Sequence, residues 1–185
     1  MNRTTDTTGL DALAAMFART KDARRAAFLP YFPIGFPTYA ESLDAIEAMA
    51  AAGVDGFEIG VPFSDPLADG PTIQAATQIA LENGVTVQRC LDAVRELRAR
   101  GVRQPMLLMG YLNPLLAYGP EAFAAAARSA GADGVIVPDL PPDESDLIGG
   151  ACAGQDLALV AFLAPTSTDR RIALAAERAT GFIYL

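Results

Sequence analysis

The chain has 185 residues, 51% of them hydrophobic, with 16 Gly, 13 Pro and a formal net charge of −8. This is the composition of a soluble globular chain long enough for one domain with a substantial core. The acidic balance leaves no basic footprint for a phosphate backbone or an anionic bilayer, which argues against nucleic-acid and membrane partners.

The first residues, Met1 to Thr8, are polar and lead into Leu10, Leu13, Ala14 and Phe17, whose spacing predicts a first outer helix and no signal peptide. Short apolar runs follow at 28–33, 54–60, 106–111, 134–138, 158–163 and 181–185. They are apolar on both faces, as buried parallel strands are. Helical patterns lie between them. Thr38 and Glu41 form a capping box for a helix carrying Leu43, Ile46 and Met49, and Gly53 stands where that helix should stop. Val87, Leu91, Val94 and Leu97 mark another helix, and Phe123, Ala124 and Ala127 one more. The longest uncharged stretch, Gln104 to Pro120, is broken by Gly, Asn and Pro and is too short to span a bilayer. Cys90 and Cys152 have no CxxC spacing, so they read as packing residues in a reducing, cytoplasmic protein.

Ala52-Gly-Val-Asp-Gly-Phe57 echoes Ala130-Gly-Ala-Asp-Gly-Val135, each at a helix-to-strand turn. After both strands come Val-Pro and an aspartate: Val61, Pro62 and Asp65, then Val137, Pro138 and Asp139. Repeated βα units with functional groups at strand C-termini predict an α/β protein of the (βα)8 TIM-barrel type. A doubly wound sheet is the alternative, but no glycine-rich phosphate turn follows the first strand. The predicted strands number six, so the expectation is a single domain over residues 1–185 forming an incomplete barrel. It would lack the last two βα units, as a fragment or truncated product would.

The residue inventory narrows the chemistry. There is no histidine, and the single lysine, Lys21, falls on or just after the N-terminal helix and not at a strand end. Schiff-base and zinc-aldolase mechanisms therefore lack their groups in this stretch. Asp65 and Asp69 do not have calcium-loop spacing, and Ser64 has no histidine to activate it. No metal site is expected. Glu58 is the anomaly, a carboxylate inside an apolar strand, where an ionised group costs several kcal/mol unless paired or used. Burial there raises a carboxyl pKa, which suits a group that both holds and releases a proton. Asp69 is open to two readings, a functional carboxylate or an ordinary Asp69-Gly70-Pro71 turn.

The run from Phe57 to Gln74 (FEIGVPFSDPLADGPTIQ) resembles the strand-loop signature of the tryptophan synthase α-subunit family. Pro30–Pro37, Asn83–Thr86, Leu108–Pro114, Gly134–Pro142 and Gly181–Leu185 are similar to further family segments in the family's order. The resemblance implies cleavage of indole-3-glycerol phosphate to indole and glyceraldehyde 3-phosphate. It makes Glu58 the proton-transfer residue and Asp69 the carboxylate that accepts the indole N–H. Tyr31, Met109, Ile136 and Tyr184 fall where the family lines its indole pocket, although each is also explained as barrel core. Asp65 and Asn113 fall on the face toward a partner β subunit in an α2β2 tetramer. That partner carries pyridoxal phosphate, and no cofactor is implied for this chain. Phe36, Gly110 and Pro138 depart from many relatives, and the family's phosphate site follows strands seven and eight. Two alternatives remain: a non-catalytic chain that keeps only the β-subunit interaction, or another phosphate-sugar barrel lyase.

Overall fold

A computed structural model describes residues 9–185, and the polar segment read above as no signal peptide lies outside them. Within them six strands alternate with helices: β1 (Tyr31–Pro33), β2 (Phe57–Gly60), β3 (Met106–Met109), β4 (Gly134–Ile136), β5 (Ala158–Phe162) and β6 (Ile183–Tyr184). The helices are α1 (Gly9–Asp22), α2 (Tyr39–Ala51), α3 (Pro71–Glu82), α4 (Val87–Ala99), α5 (Leu112–Tyr118), α6 (Pro120–Ala130), α7 (Asp146–Ala153) and α8 (Asp169–Arg178). All pairings are parallel and the strands run in sequence order, β1 to β6. A doubly wound sheet would reverse its order at a switch point. This order is instead that of a barrel wall, with five βα units and a sixth strand among the described residues.

Local chemistry explains the boundaries. Thr38 Oγ accepts the Glu41 N–H at 3.3 Å, and its hydroxyl donates to the Glu41 carboxylate at 2.7 Å. The carboxylate thus closes on the hydroxyl and not on the N-cap backbone. Pro71 opens α3 at a position where its missing N–H costs nothing. Gly53 after α2 and Gly131 after α6 have φ of +92° and +96°, left-handed turns that a side chain would strain.

Strand register divides the core in two. Phe57, Ile59, Met106, Leu108, Val135 and Leu159 face outward into a cluster with Leu43, Ile46, Leu91, Val94, Leu97 and Phe123 from the helices. Leu107, Ile136, Ala158 and Val160 face inward with Leu13 and Met16. Two expectations are corrected here. The first helix, α1, is not an outer helix: Leu13 and Met16 pack on the inward face of the strands, and Ala14 is exposed. The sixth strand is not buried. Ile183 and Tyr184 are 40% and 39% exposed, because β6 pairs with β5 alone and no described helix covers it.

The echoed Asp55 and Asp133 are buried, each with an arginine. Asp55 accepts from Arg25 at 2.6 and 2.7 Å, and Asp133 from Arg98 at 2.6 Å. Cys90 and Cys152 are buried free thiols, as their reading as packing residues requires.

Candidate active site

β2 carries Glu58 as the register partner of Tyr31 on β1 and of Leu107 on β3. Directly paired residues share a sheet face, so Glu58 lies on the inward face with Leu107. It is 7% exposed, and burial alone pushes its carboxyl from 4.5 up to about 7. Tyr184 on β6 is near enough to feel its charge. The charge of Glu58, followed by burial, raises the Tyr184 phenol. Tyr184 is also stacked on Phe162, with ring centroids 5.1 Å apart.

The loop from Val61 to Gly70 leaves β2 without helix or strand and returns Asp69 to the mouth of the wall. Asp69 lines a small cavity with Tyr31, Thr77, Met109 and Tyr111. Burial raises its carboxyl, and the neighbouring Tyr111 hydroxyl opposes that rise. Tyr31 shares that cavity with Thr77 and Asp69. Its phenol is pushed above the usual range, chiefly by burial. The ring of Tyr31 crosses Gly60, where any Cβ would collide with the tyrosine hydroxyl. Gly60 is small because Tyr31 occupies its side-chain space.

The expected pocket residues thus fall into three groups. Tyr31 and Met109 line the cavity with Asp69, while Tyr184 faces Glu58. Ile136 is fully buried in the inward cluster, in register with Met109 and Val160. Asp65 and Asn113, the expected partner-facing residues, are exposed and line one cleft with Leu67 and Asp139. The Ser64 hydroxyl donates to the Asp65 carboxylate, which leaves it no nucleophilic arrangement. Lys21 is exposed in the last turn of α1. Among the described residues, no group of three or more His, Cys, Asp or Glu could hold a metal.

Two polar residues of this cavity were not singled out from the sequence, Tyr111 and Thr77. Tyr111 lies inside the Leu108–Pro114 match, directly after the strand-end Gly110, and that position was its only signal. Thr77 sits in a helix of ordinary pattern, and only folding aims it at Tyr31.

A family model described as tryptophan synthase alpha chain matches residues 17–185. The tryptophan synthase alpha chain of Chloroflexus aurantiacus is 50% identical over 176 residues, covering 95% of this chain and 66% of the relative. That of Chloroflexus aggregans is 48% identical over all 185 residues, again 66% of the relative's length. Among solved structures, tryptophan synthase subunit alpha of Legionella pneumophila superposes with a TM-score of 0.91 at 34% identity, covering 94% of this chain and 67% of that one. A tryptophan synthase structure from M. tuberculosis gives 0.89 at 40% identity, with 93% and 69% covered. The chain therefore spans about two thirds of the length of these relatives. With nearly all of it matched by the family model and by half-identical relatives, the chain belongs to the tryptophan synthase alpha chain family.

Proposed function

We propose that this chain forms the proton-transfer half of a tryptophan synthase alpha subunit, cleaving indole-3-glycerol phosphate to indole and glyceraldehyde 3-phosphate. The observation that carries the reading is Glu58, a carboxyl buried on the inward face, with no ion pair among the described residues, that burial pushes up to about 7. Such a group is poised to give and take a proton near neutral pH.

In the proposed reaction, Glu58 delivers a proton to indole C3. The electron pair for the new C–H bond leaves the ring nitrogen electron-poor, and Asp69 stabilises that charge by accepting the N–H. Glu58 then takes the proton of the 3′-hydroxyl. The C3–C3′ bond breaks as the aldehyde carbonyl forms, and its electrons restore the indole ring. One proton leaves oxygen and one reaches carbon, so the glutamic acid is regenerated without a metal, an imine or a redox partner. Tyr31, Met109, Ile136 and Tyr184 would frame the indole.

The reading extends to one domain, a cytoplasmic location and a pyridoxal-phosphate β subunit in an α2β2 assembly. The cleft holding Asp65 and Asn113, with Leu67 94% exposed, is the surface that suits such a partner. No helix among the described residues is long and apolar enough to cross a membrane. The test is indole release from indole-3-glycerol phosphate, with and without a β subunit. Release that is abolished in Glu58→Gln supports the reading, and release unaffected by that substitution overturns it.

A further inference from the structure

We propose that Tyr111 is the positioning residue for Asp69, its hydroxyl clamping the loop after β2 onto the end of β3 and so setting where the carboxylate points. The inference rests on the role given to Asp69 above.

The loop needs such a clamp. Between Val61 and Gly70 its own backbone supplies only short turns, Leu67 N–H to Asp65 O at 2.9 Å and Asp69 N–H to Pro66 O at 3.1 Å. Leu67 projects into solvent, and exposed loops of this kind are mobile unless tied to a scaffold. The tie is Tyr111. Its Oη accepts the N–H of Ala68 at 2.8 Å, the residue next to Asp69, and Tyr111 and Asp69 line one cavity, where the hydroxyl favours the ionised form of the carboxylate. A phenol has lone pairs to receive that N–H and a proton to turn toward the carboxylate, and a phenyl ring could supply neither. Gln74 adds a second tie, donating to the Asp69 carbonyl at 2.8 Å from α3, but it does not touch the carboxylate in this way.

The anchor itself is rigid. Tyr111 is 6% exposed, its ring lies 5.5 Å from that of Phe63, and the next N–H, of Leu112, donates to Asp139 Oδ1 at 2.9 Å. Burial raises the Tyr111 phenol, so it keeps its proton as a donor. The titratable groups facing this pair are Tyr31 from β1, toward Asp69, and Asp139 from the end of β4, toward Tyr111. Catalytic groups need placement within ~0.5 Å, and a misplacement of about 1 Å can reduce rates ~10²-fold.

The test is Tyr111→Phe, which keeps the ring against Phe63 and removes the hydroxyl. Amide exchange at Ala68 should accelerate about tenfold or more while α4 and α6 exchange as in the parent, a local opening. The Asp69 carboxyl, followed by carbon NMR, should titrate higher, because it loses a donor that favours its ionised form. In indole release, kcat should fall about 10- to 100-fold with KM within about threefold. Unchanged Ala68 exchange and Asp69 titration would overturn the inference, whatever the rate. So would an unchanged kcat in an active parent despite a freed loop. A parent that releases no indole would sink the activity reading alone, since exchange and titration still decide whether Tyr111 sets Asp69. Should Tyr111→Phe fail to fold, Asp69→Asn serves as the reciprocal: the Tyr111 phenol should titrate lower without the neighbouring charge, and no change there overturns the pairing.

Discussion

Asp55 and Asp133 occupy equivalent posts in the fold. Asp55 donates its N–H to Phe28 O and accepts Phe28 N–H on its carboxylate, both at 2.9 Å. Asp133 does the same with Met106, at 2.8 and 2.9 Å. Each thereby stitches the start of its own strand to the start of the preceding one. Each also receives an arginine from the segment before that preceding strand, Arg25 and Arg98 respectively. The sequence echo around Gly53 and Gly131 is thus a repeated brace, a left-handed glycine followed by an aspartate that ties two strands.

The two braces differ in burial, and so in their response to mutation. Arg98 is 13% exposed beside a fully buried Asp133, and it also donates to the carbonyls of Gly131, Val102 and Gln104. Arg98→Leu should destabilise the fold by ~3–5 kcal/mol, the usual effect of stranding a buried charge. Arg25→Ala should have a smaller effect, because Arg25 is half-exposed and Arg19 still reaches Asp55 at 3.3 Å. Urea denaturation midpoints measure both, and an Arg98 variant as stable as the parent would contradict the brace.

Stability should bend in opposite directions at the two ends of the pH scale. Glu58 titrates higher folded (about 7) than its ordinary 4.5, so the folded state holds the extra proton. Its contribution is full below about 4.5 and is lost as pH rises through about 7. Asp55, held below the ordinary carboxylate value first by the Arg25 hydrogen bond, contributes above 3.8 and loses that contribution as pH falls below it. Urea midpoints from pH 3 to 8 should show both limbs, with the neutral one flattened in Glu58→Gln. A neutral limb that persists in that variant would mean that another group carries it.

Glu58→Gln keeps volume and polarity but loses the transferable proton. General acid–base groups contribute ~10²–10⁴-fold, and one residue serving two proton transfers should lie near the top of that range. The loss should fall on kcat and leave KM nearly unchanged, because the group acts on the reacting atoms. Asp69→Asn should also slow the reaction while circular dichroism remains that of the parent. A folded Glu58→Gln protein within tenfold of the parent rate would return Glu58 to a structural role.

Gly60→Ala would place a methyl group where the Tyr31 hydroxyl lies. Overpacking of this kind costs about 1–3 kcal/mol. The expected outcome is a lower denaturation midpoint, with the Tyr31 hydroxyl displaced from Thr77. Combining it with Tyr31→Phe should recover part of the loss, since the hydroxyl is the nearest obstruction but Pro33 Cα also lies 2.9 Å from the added carbon. Full stability in Gly60→Ala alone would show that the ring moves freely.

Asp65→Ala probes the exposed cleft. The side chain is at the surface and its hydrogen bond is to the neighbouring Ser64, so the fold should be unaffected. Affinity for a β subunit, read by titration calorimetry, should fall about tenfold if the carboxylate meets a charged group there. Unchanged affinity would move the partner surface elsewhere.

Much of this protein was determined by local sequence. Apolar runs bounded by Gly and Pro placed all six strands, the exposed β6 included, because the strands of a parallel wall are built to be covered and so have few other compositions open to them. Thr38 with Glu41 marked one helix start, and Gly53 marked that helix's end, since caps act over a single turn. Glu58 announced itself as a carboxylate in an apolar strand. Only the tertiary structure decided what depends on packing between distant segments. Leu13 and Met16 have the spacing of any amphipathic helix, and which face of the sheet they cover is set by the space left inside the strands. Asp55 and Asp133 look like ordinary Asp-Gly turns until Arg25 and Arg98 arrive from 30 and 35 residues away. Tyr111 meets Ala68 across 43 residues. Hydrogen bonds of that reach leave no periodic trace, so the groups that hold the candidate site in place became visible only when the chain was folded.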